Sequence, residues 1–479
     1  MSKARQSKCG RCQVLEAKLT KLQTELVKLQ TELVRLREEL AAAKKDSATS
    51  SKPPSSDIVK PQPSNAPEGE PKRTIGGQPG HPMHQRELLP PEQVTDFHTH
   101  MLDACPHCGG EVEPNGSVAK VVQQIDITQT PLTIEQHTCP EYWCRHCHKT
   151  CQAPLPLPIE RAGLVGPGLT ALIAFMKGGC HASFSTIRTF LRDVVGVTLA
   201  RSTLSNTIQK VTAALEGPYQ ELLLALPFND VLNVDETGHK DNGQSLWTWC
   251  LRADLYTIYQ VDTRRSADVL LDLLGKDFDG VLGCDYFSAY RRYLREVDVT
   301  VQFCLAHLIR DVKFLTTLPD ARDRAYGEGL RQALKDLFAV IHRREEMSAA
   351  VFARELEAAR AWVMYRGQHH VPPTRHAQNL AERFRRHGEA YFTFVTTPEV
   401  GPTNNLAEQA IRFVVIDRHI TQGTRSEAGR RWCERIWTVI ATCAQQSRSA
   451  YTFLKEAIDH WLHGKDAPSL LPSVPGGAA

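Results

Sequence analysis

The spacing of apolar positions changes character along this chain. Leu15, Leu22, Leu29 and Leu36 recur every seven residues, and Leu19, Leu26, Leu33 and Leu40 form a second series. Alternating steps of four and three place both series on one helix seam, which predicts a leucine-zipper coiled coil within residues 1–45 and self-association through it. The segment Lys21–Val27 recurs unchanged at 28–34. Glu32 and Arg37 fall at g and the following e, compatible with parallel pairing, while leucine at both seam positions leaves the strand number open. Residues 46–100 lose all periodicity and are rich in Ser, Pro, Gly and charge, the composition of a flexible linker. Helical spacing returns over 161–228. Ser183–Val194 reads as an amphipathic helix, Gly196 breaks it, and Ser202 is placed to cap a second helix carrying Leu204, Ile208 and Val211. Such a pair resembles a helix-turn-helix, with Arg201, Thr203, Ser205 and Asn206 facing DNA; two packed helices with no DNA role fit the same pattern.

From residue 229 the pattern turns to strands: Val231–Asp235, Leu246–Arg252, Leu255–Val261 and Gly280–Asp285, with a helix over Ser266–Leu274 before the fourth. Thr300–Phe303 predicts a fifth strand, followed by a helix through Leu315. Residues 320–395 are helical and charged, too long for a connection, and read as a helical insertion. A further helix-like stretch holds Glu408, and 466–479 reads as a disordered tail. The fold class is therefore multidomain, α+β with α/β. A catalytic core over 229–319 and 396–465 has the strand-strand-strand-helix-strand layout of the ribonuclease H-like fold.

Three carboxylates occupy positions suited to metal-dependent phosphate chemistry. Asp235 and Asp285 each end an apolar run, where open α/β sheets keep their active sites, and Glu408 lies on a helix. Such a trio can hold two divalent ions, Mg²⁺ or Mn²⁺, roughly 3.5–4 Å apart. Any one of the 54 Asp and Glu residues is by default solvated surface; the joint context singles out these three. Glu236 is the rival of Asp235, but consecutive strand residues face opposite ways. Asp235 is preferred because Val231 and Asn233 share its side while Leu232 and Val234 pack the other. Asn404 and Asn405 are placed to cap the Glu408 helix, and Arg412, one turn on, to clamp a phosphate or orient Glu408.

Two C-x-x-C knuckles, Cys105–Cys108 and Cys144–Cys147, can close a tetrahedral zinc site. They bound a module over 101–160 in which Val121–Ile127 and Thr133–His137 read as strands of a ribbon. Structural zinc is preferred over redox cysteines because no thioredoxin-like βαβ setting surrounds either pair. Cys139, Cys151, His107, His146 and His148 are spare ligands. Cys9 and Cys12 read as a disordered tip rather than an inter-chain metal site. Cys304 and His307 have C-x-x-H spacing but lack two further ligands, so they are assigned to packing, with His307 a candidate DNA contact.

Composition narrows the class further. Apolar content of 42% and charged content of 23% fit a soluble globular protein of roughly two to four domains. The longest charge-free apolar stretch, Gly163–Met176, is too short to span a bilayer, so a cytoplasmic protein with no membrane partner is expected, its 14 Cys serving as thiols and metal ligands. With a net charge of only +3, nucleic-acid affinity must come from local patches. Residues 411–448, with Arg412, Arg418, Arg425, Arg430, Arg431, Arg435 and Arg448, form one; a solvated helical face is the plain alternative.

In its leucine heptads, Gly76–His81, both knuckles, Val234–Thr237, Leu282–Tyr286, Cys304–His307 and Thr403–Glu408, the chain resembles transposases of the insertion sequence 66 family over nearly its whole length. That resemblance implies an Asp-Asp-Glu core that frees a 3′-hydroxyl at the end of a mobile element and joins it to target DNA. It carries catalysis to Asp235, Asp285 and Glu408, and zinc to Cys105, Cys108, Cys144 and Cys147. Accessory element proteins are possible partners. The sequence departs from the family at Gly238, where proline is usual, and around Cys180–Ser185. A ribonuclease H-like nuclease without strand transfer, or a zinc-containing DNA-binding regulator with a dead core, are the competing expectations.

Overall fold

The β-branched and aromatic runs of the second half form one five-stranded sheet in the computed structural model, which describes residues 10–45, 90–94, 132–139, 141–144, 149–152, 154–397 and 399–472. Two units are distinguished. The smaller comprises Gln62–Gln136 with Val194–Gly196, of which 90–94, 132–136 and 194–196 are described. The larger comprises Met1–Pro61, His137–Asp193 and Val197–Ala479, and holds the five-stranded sheet and its helices.

Helix α1 (Gly10–Ala43) is continuous. Its seam leucines stand 48–65% exposed, a stripe left uncovered on the single chain. Strands β1 (Glu141–Cys144) and β2 (Lys149–Gln152) pair antiparallel, Cys144 opposite Lys149. The ribbon strand expected at Thr133–His137 is not one: residues 132–139 carry no strand, and the paired segments flank the second knuckle instead. Val121–Ile127, Cys9, Cys105, Cys108, Cys147, His107, His146 and His148 lie outside the described residues.

Helices α2 (Leu157–Ala162), α3 (Pro167–Gly178), α4 (Phe184–Phe190), α5 (Arg201–Ala214) and α6 (Glu216–Ala225) follow. The stretch Leu157–Gly178 is long and apolar enough in composition to cross a membrane. It is nonetheless broken between α2 and α3, where Gly163 takes φ 63°, and α3 packs on α5 and on α16 (Ala450–Leu462). Ser183 caps α4 through Thr186 N–H. The second cap differs from expectation: α5 starts two residues earlier, Ala200 is its N-cap, and Ser202 lies inside the first turn.

The sheet comprises β3 (Val231–Asp241), β4 (Gln244–Arg252), β5 (Thr257–Asp262), β6 (Val281–Cys284) and β7 (Thr300–Phe303), in the order β5-β4-β3-β6-β7. β3, β4 and β5 are antiparallel neighbours; β6 runs parallel to β3, and β7 parallel to β6. Helices α7 (Ala267–Leu274) and α8 (Ser288–Glu296) link the last three strands, and α9 (Leu305–Leu315) leaves β7. Alternation in β3 buries Leu232 and Val234 completely and leaves Val231, Asn233 and Asp235 half-buried on the other face. β3 runs six residues beyond Asp235 because Glu236–Asp241 pairs with the hairpin arm of β4, a continuation that its polar composition conceals. The span 320–395 is helical: α10 (Ala321–His342), α11 (Ala349–Gln368), α12 (Arg375–His387) and the short α13 (Thr393–Thr396). Then come α14 (Asn405–Thr421) and α15 (Glu427–Gln445).

β5 is an edge strand, and α15 covers its open N–H groups with side chains one turn apart. Thr442 Oγ1 accepts from Thr257 N–H (3.2 Å), Thr438 Oγ1 from Tyr259 N–H (3.2 Å), and a Glu434 carboxylate oxygen from Val261 N–H (2.7 Å). Steps of four on the helix match steps of two on the strand, so one helix face satisfies a sheet edge that would otherwise recruit another chain. The end of the chain is also held. Leu470 is fully buried, and Gln446 donates to its carbonyl (2.8 Å), so the disorder expected from 466 does not begin before the last described residues.

Burial lifts Glu434 from the ordinary carboxylate value to about 7. A folded-state pKa above the unfolded one contributes stability that is full at acid pH and lost as pH rises through about 7. Thermal unfolding should therefore show Glu434→Gln losing less stability than the parent between about pH 5 and 8. Thr438→Val, which strands the Tyr259 N–H, should cost about 1–3 kcal/mol at every pH.

Candidate active site

Parallel pairing sets the first two acids side by side. Val231, Leu232 and Asn233 face Val281, Leu282 and Gly283 in register, and the same offset continued two residues on aligns Asp235 with Asp285. Gly283 leaves room for Asn233, since a Cβ there would lie 2.6 Å from Asn233 Oδ1 and force that side chain to move. Asp285 directly follows β6 and accepts from Phe287 N–H (2.8 Å), which fixes its carboxylate at the turn into α8. Asp235 accepts from Glu236 N–H (2.9 Å).

Glu408 arrives on the first turn of α14. Asn404 does stand at the N-cap, but its side chain makes no cap hydrogen bond. It reaches instead across to the sheet, donating from Nδ2 to Val234 O (2.8 Å) beside Asp235, and is 2% exposed. Asn404 N–H donates to Cys304 Sγ (3.2 Å), Cys304 N–H donates to Cys284 O (2.8 Å), and Leu305 N–H donates to Pro402 O (3.0 Å). These bonds strap the end of β6, the start of α9 and the start of α14 to one another. Cys304 and Asn404 thus act as positioning residues, a role their side-chain types alone did not announce.

The electrostatics are those of acids confined together. Asp235 is pushed well above the usual carboxylate range by burial, then by Glu236, Asp285 and Glu408. Burial also raises Asp285, against the Phe287 N–H and the guanidiniums of Arg265 and Arg383. Glu236 is lifted to about 7 by burial and Asp285. Arg265 Nη2 (2.6 Å) and the Tyr290 hydroxyl each donate to it, so both of its oxygens are already partnered. Mutual repulsion among ionised carboxylates in a poorly solvated site is relieved by a cation. A Glu408 carboxylate oxygen, Oε1, is buried with no hydrogen-bond partner. Oxygen donors of this kind fit Mg²⁺ or Mn²⁺.

Two further groups frame Glu408. Arg310 Nη2 lies 3.4 Å from one oxygen and His307 Nδ1 3.5 Å from the other. Burial and the charges of Arg310 and Arg383 depress His307 to about 3, so the ring is neutral at physiological pH. Cys304, His307 and Glu408 offer ligand atoms within 4.8 Å of one another, so Glu408 supplies a third ligand that the C-x-x-H spacing did not reveal. The Cys304 sulfur already accepts the Asn404 N–H, which favours the strap over a closed zinc site.

The DNA-contact candidates scatter. Arg201 and Asn206 are exposed on α5, Thr203 and Ser205 half-buried, and α5 packs on α3, α4, α15 and α16. Arg412 is exposed, and the guanidinium that meets Glu408 is that of Arg310. Arg418 donates to Gly238 O and Thr237 Oγ1, and Arg425 to Gln422 O and Thr424 O (both 3.1 Å), so each has a structural partner. Arg265, Tyr290 and Arg310 were missed. Only Arg310, one helical turn after His307, had a spacing that could have flagged it.

Comparison with known proteins adds a family. A model described as "Transposase IS66 family" matches residues 162–431, more than half of the chain. One described as "zinc-finger binding domain of transposase IS66" matches residues 103–148, which supports structural zinc in that module, and a family of unknown function matches 5–87. An uncharacterized protein of Sinorhizobium fredii, y4hP, is 26% identical over 345 residues, 63% of this chain; the chain spans 60% of that relative's length.

Asn404→Ala removes the tie between α14 and β3 and leaves Val234 O without its donor. Denaturant unfolding should show a loss of about 1–3 kcal/mol, whereas Asn405→Ala, on the exposed side of the same turn, should change stability by less than about 0.5 kcal/mol.

Proposed function

The chain belongs to the IS66 family of transposases, and from that membership we propose that it cuts and rejoins the DNA of a mobile element at Asp235, Asp285 and Glu408. The observation that carries the reading is geometric: the parallel register of β3 and β6 runs on to Asp235 and Asp285, and the Asn404–Val234 bond ties the first turn of α14, with Glu408, to the same strand end. The sheet order supports a ribonuclease H-like core: three antiparallel strands, then two parallel to the first, with the acids at the ends where β3 and β6 run side by side.

Asp235, Asp285 and Glu408 would hold the divalent ions. Bound there, Mg²⁺ or Mn²⁺ would supply Lewis-acid activation of an attacking oxygen and charge stabilisation at phosphate. The remaining residues act by position. Asn404 and Cys304 fix the approach of α14 to β3, so that Glu408 meets the two aspartates without a search through rotamers. Arg265 and Tyr290 occupy both oxygens of Glu236. Neutral His307 and cationic Arg310 flank Glu408 and keep its carboxylate directed. Cys105, Cys108, Cys144 and Cys147 would hold structural zinc, and the exposed leucine stripe of α1 would pair protomers so that two element ends are handled together. Accessory element proteins fit the same scheme as further partners.

The test uses the full chain, pre-cut element ends taken from the DNA flanking its gene, a target plasmid and Mg²⁺. Joined products are expected. Asp235→Asn, Asp285→Asn and Glu408→Gln should each lower cleavage and joining by at least about a hundredfold while DNA binding persists. Hydrolysis without joining would favour the plain nuclease, and undiminished cleavage by Asp235→Asn would overturn the assignment.

A further inference from the structure

Beside the acids lies a cleft of about 450 Å³ that the catalytic reading does not use. It opens at Tyr286, the residue after Asp285, and runs between α8 and α12. Four arginines line it, Arg291, Arg295, Arg383 and Arg386, against the acids Asp311 and Glu382.

The two inner guanidiniums are incompletely satisfied. Arg383 is fixed by Asp311 (2.7 Å), by the Tyr391 hydroxyl and by the Tyr286 ring, whose centroid is 3.9 Å from its Cζ. Its Nη2 is buried with no partner. Arg291 lies 4.6 Å from the same ring, and its Nε is likewise buried with no partner. Buried donors in native proteins are almost always paired, so two orphaned guanidinium nitrogens around one ring mark the place of an acceptor. Glu382 pairs with Arg385 and Arg386 and Asp311 with Arg383, so no lining carboxylate is bonded to Arg291 or Arg295 among the described residues, and an anionic acceptor suits the orphaned donors. His387, in the same lining, is pushed down by burial and by Arg291, Arg386, Arg295 and Arg383, a direct reading of the local positive field.

Two features select a polymer phosphate. Guanidinium forks match the tetrahedral oxygens of phosphate. The charges also run outward, from half-buried Arg291 and Arg383 to exposed Arg295 and Arg386, as a track for a strand rather than a closed cup for a small ion. Tyr286 lines the cleft and directly follows Asp285 in the chain, so the track adjoins the acid at the end of β6.

We propose that the α8–α12 cleft binds a backbone phosphate of the DNA strand engaged at Asp235, Asp285 and Glu408. The proposal rests on the transposase reading for the identity of the polymer. It assigns the helical insertion, through α12, a part in gripping substrate close to the point of chemistry.

The experiment measures binding of the full, zinc-loaded chain to a short random-sequence duplex without added Mg²⁺, as salt rises from about 50 to 200 mM. Arg291→Gln should weaken binding several-fold at low salt and reduce the slope of log K against log salt by about 0.9, one phosphate contact. Arg295→Gln should act in the same direction. Arg354→Gln, on exposed α11, should match the parent. Parental slopes for both Arg291→Gln and Arg295→Gln would overturn the proposal. So would saturable thermal protection by inorganic phosphate that Arg291→Gln abolishes with the DNA slope unchanged, since the cleft would then take the free ion. Because binding is read without catalysis, failure of the acid assignment appears in the cleavage assay and leaves this result intact.

Discussion

Confinement of like charge is the constraint around which this molecule is arranged. Asp235, Asp285 and Glu408 come from a strand, a strand end and a helix start, and Asp235 feels both of the others. Nothing in their own chemistry draws them together. The neutral hydrogen bonds of Asn404 with Val234 O and Cys304 Sγ, and of Cys304 N–H with Cys284 O, hold the three backbones in place against that repulsion. On the proposed reading, a divalent cation bound by the three acids would relieve that repulsion.

The rest of the larger unit supplies rigidity to that arrangement. α15 seals the β5 edge through Thr442, Thr438 and Glu434, and it also packs on α3, α5, α6 and α16, so one helix joins the sheet to the helical layer. Arg418 joins α14 to the backbone of β3 by donating to the Gly238 carbonyl. Two guanidiniums, Arg265 and Arg383, act on Asp285 from different elements, which links the acid site to the α8–α12 cleft.

Much of this was readable from period and spacing. Thr300–Phe303 was located to the residue, Ser266 precedes α7 as its N-cap, and the order of strands and helices around the acids follows from where apolar runs stop. Alternation along Val231–Val234 is the basis on which Asp235 is preferred to Glu236, and both oxygens of Glu236 are taken by Arg265 and Tyr290. What could not be read depends on tertiary partners. Glu236–Asp241 is polar yet extends β3, because pairing with β4 rather than burial holds it. Leu470 looked like part of a loose tail until Gln446 and a buried slot received it. Asn404 was legible as a cap residue but not as a bridge, since its acceptor lies 170 positions away in the chain. Arg418 and Arg425 looked free for DNA because sequence does not display the carbonyls they satisfy.

The central claim is that three distant acids grip divalent cations jointly. Calorimetric titration of the zinc-loaded full chain with Mn²⁺ tests it most directly. The account predicts saturable binding that is weakened when any one of Asp235, Asp285 and Glu408 is replaced by its amide, with the folded state retained. Mn²⁺ binding that is unchanged in all three amide variants would contradict it.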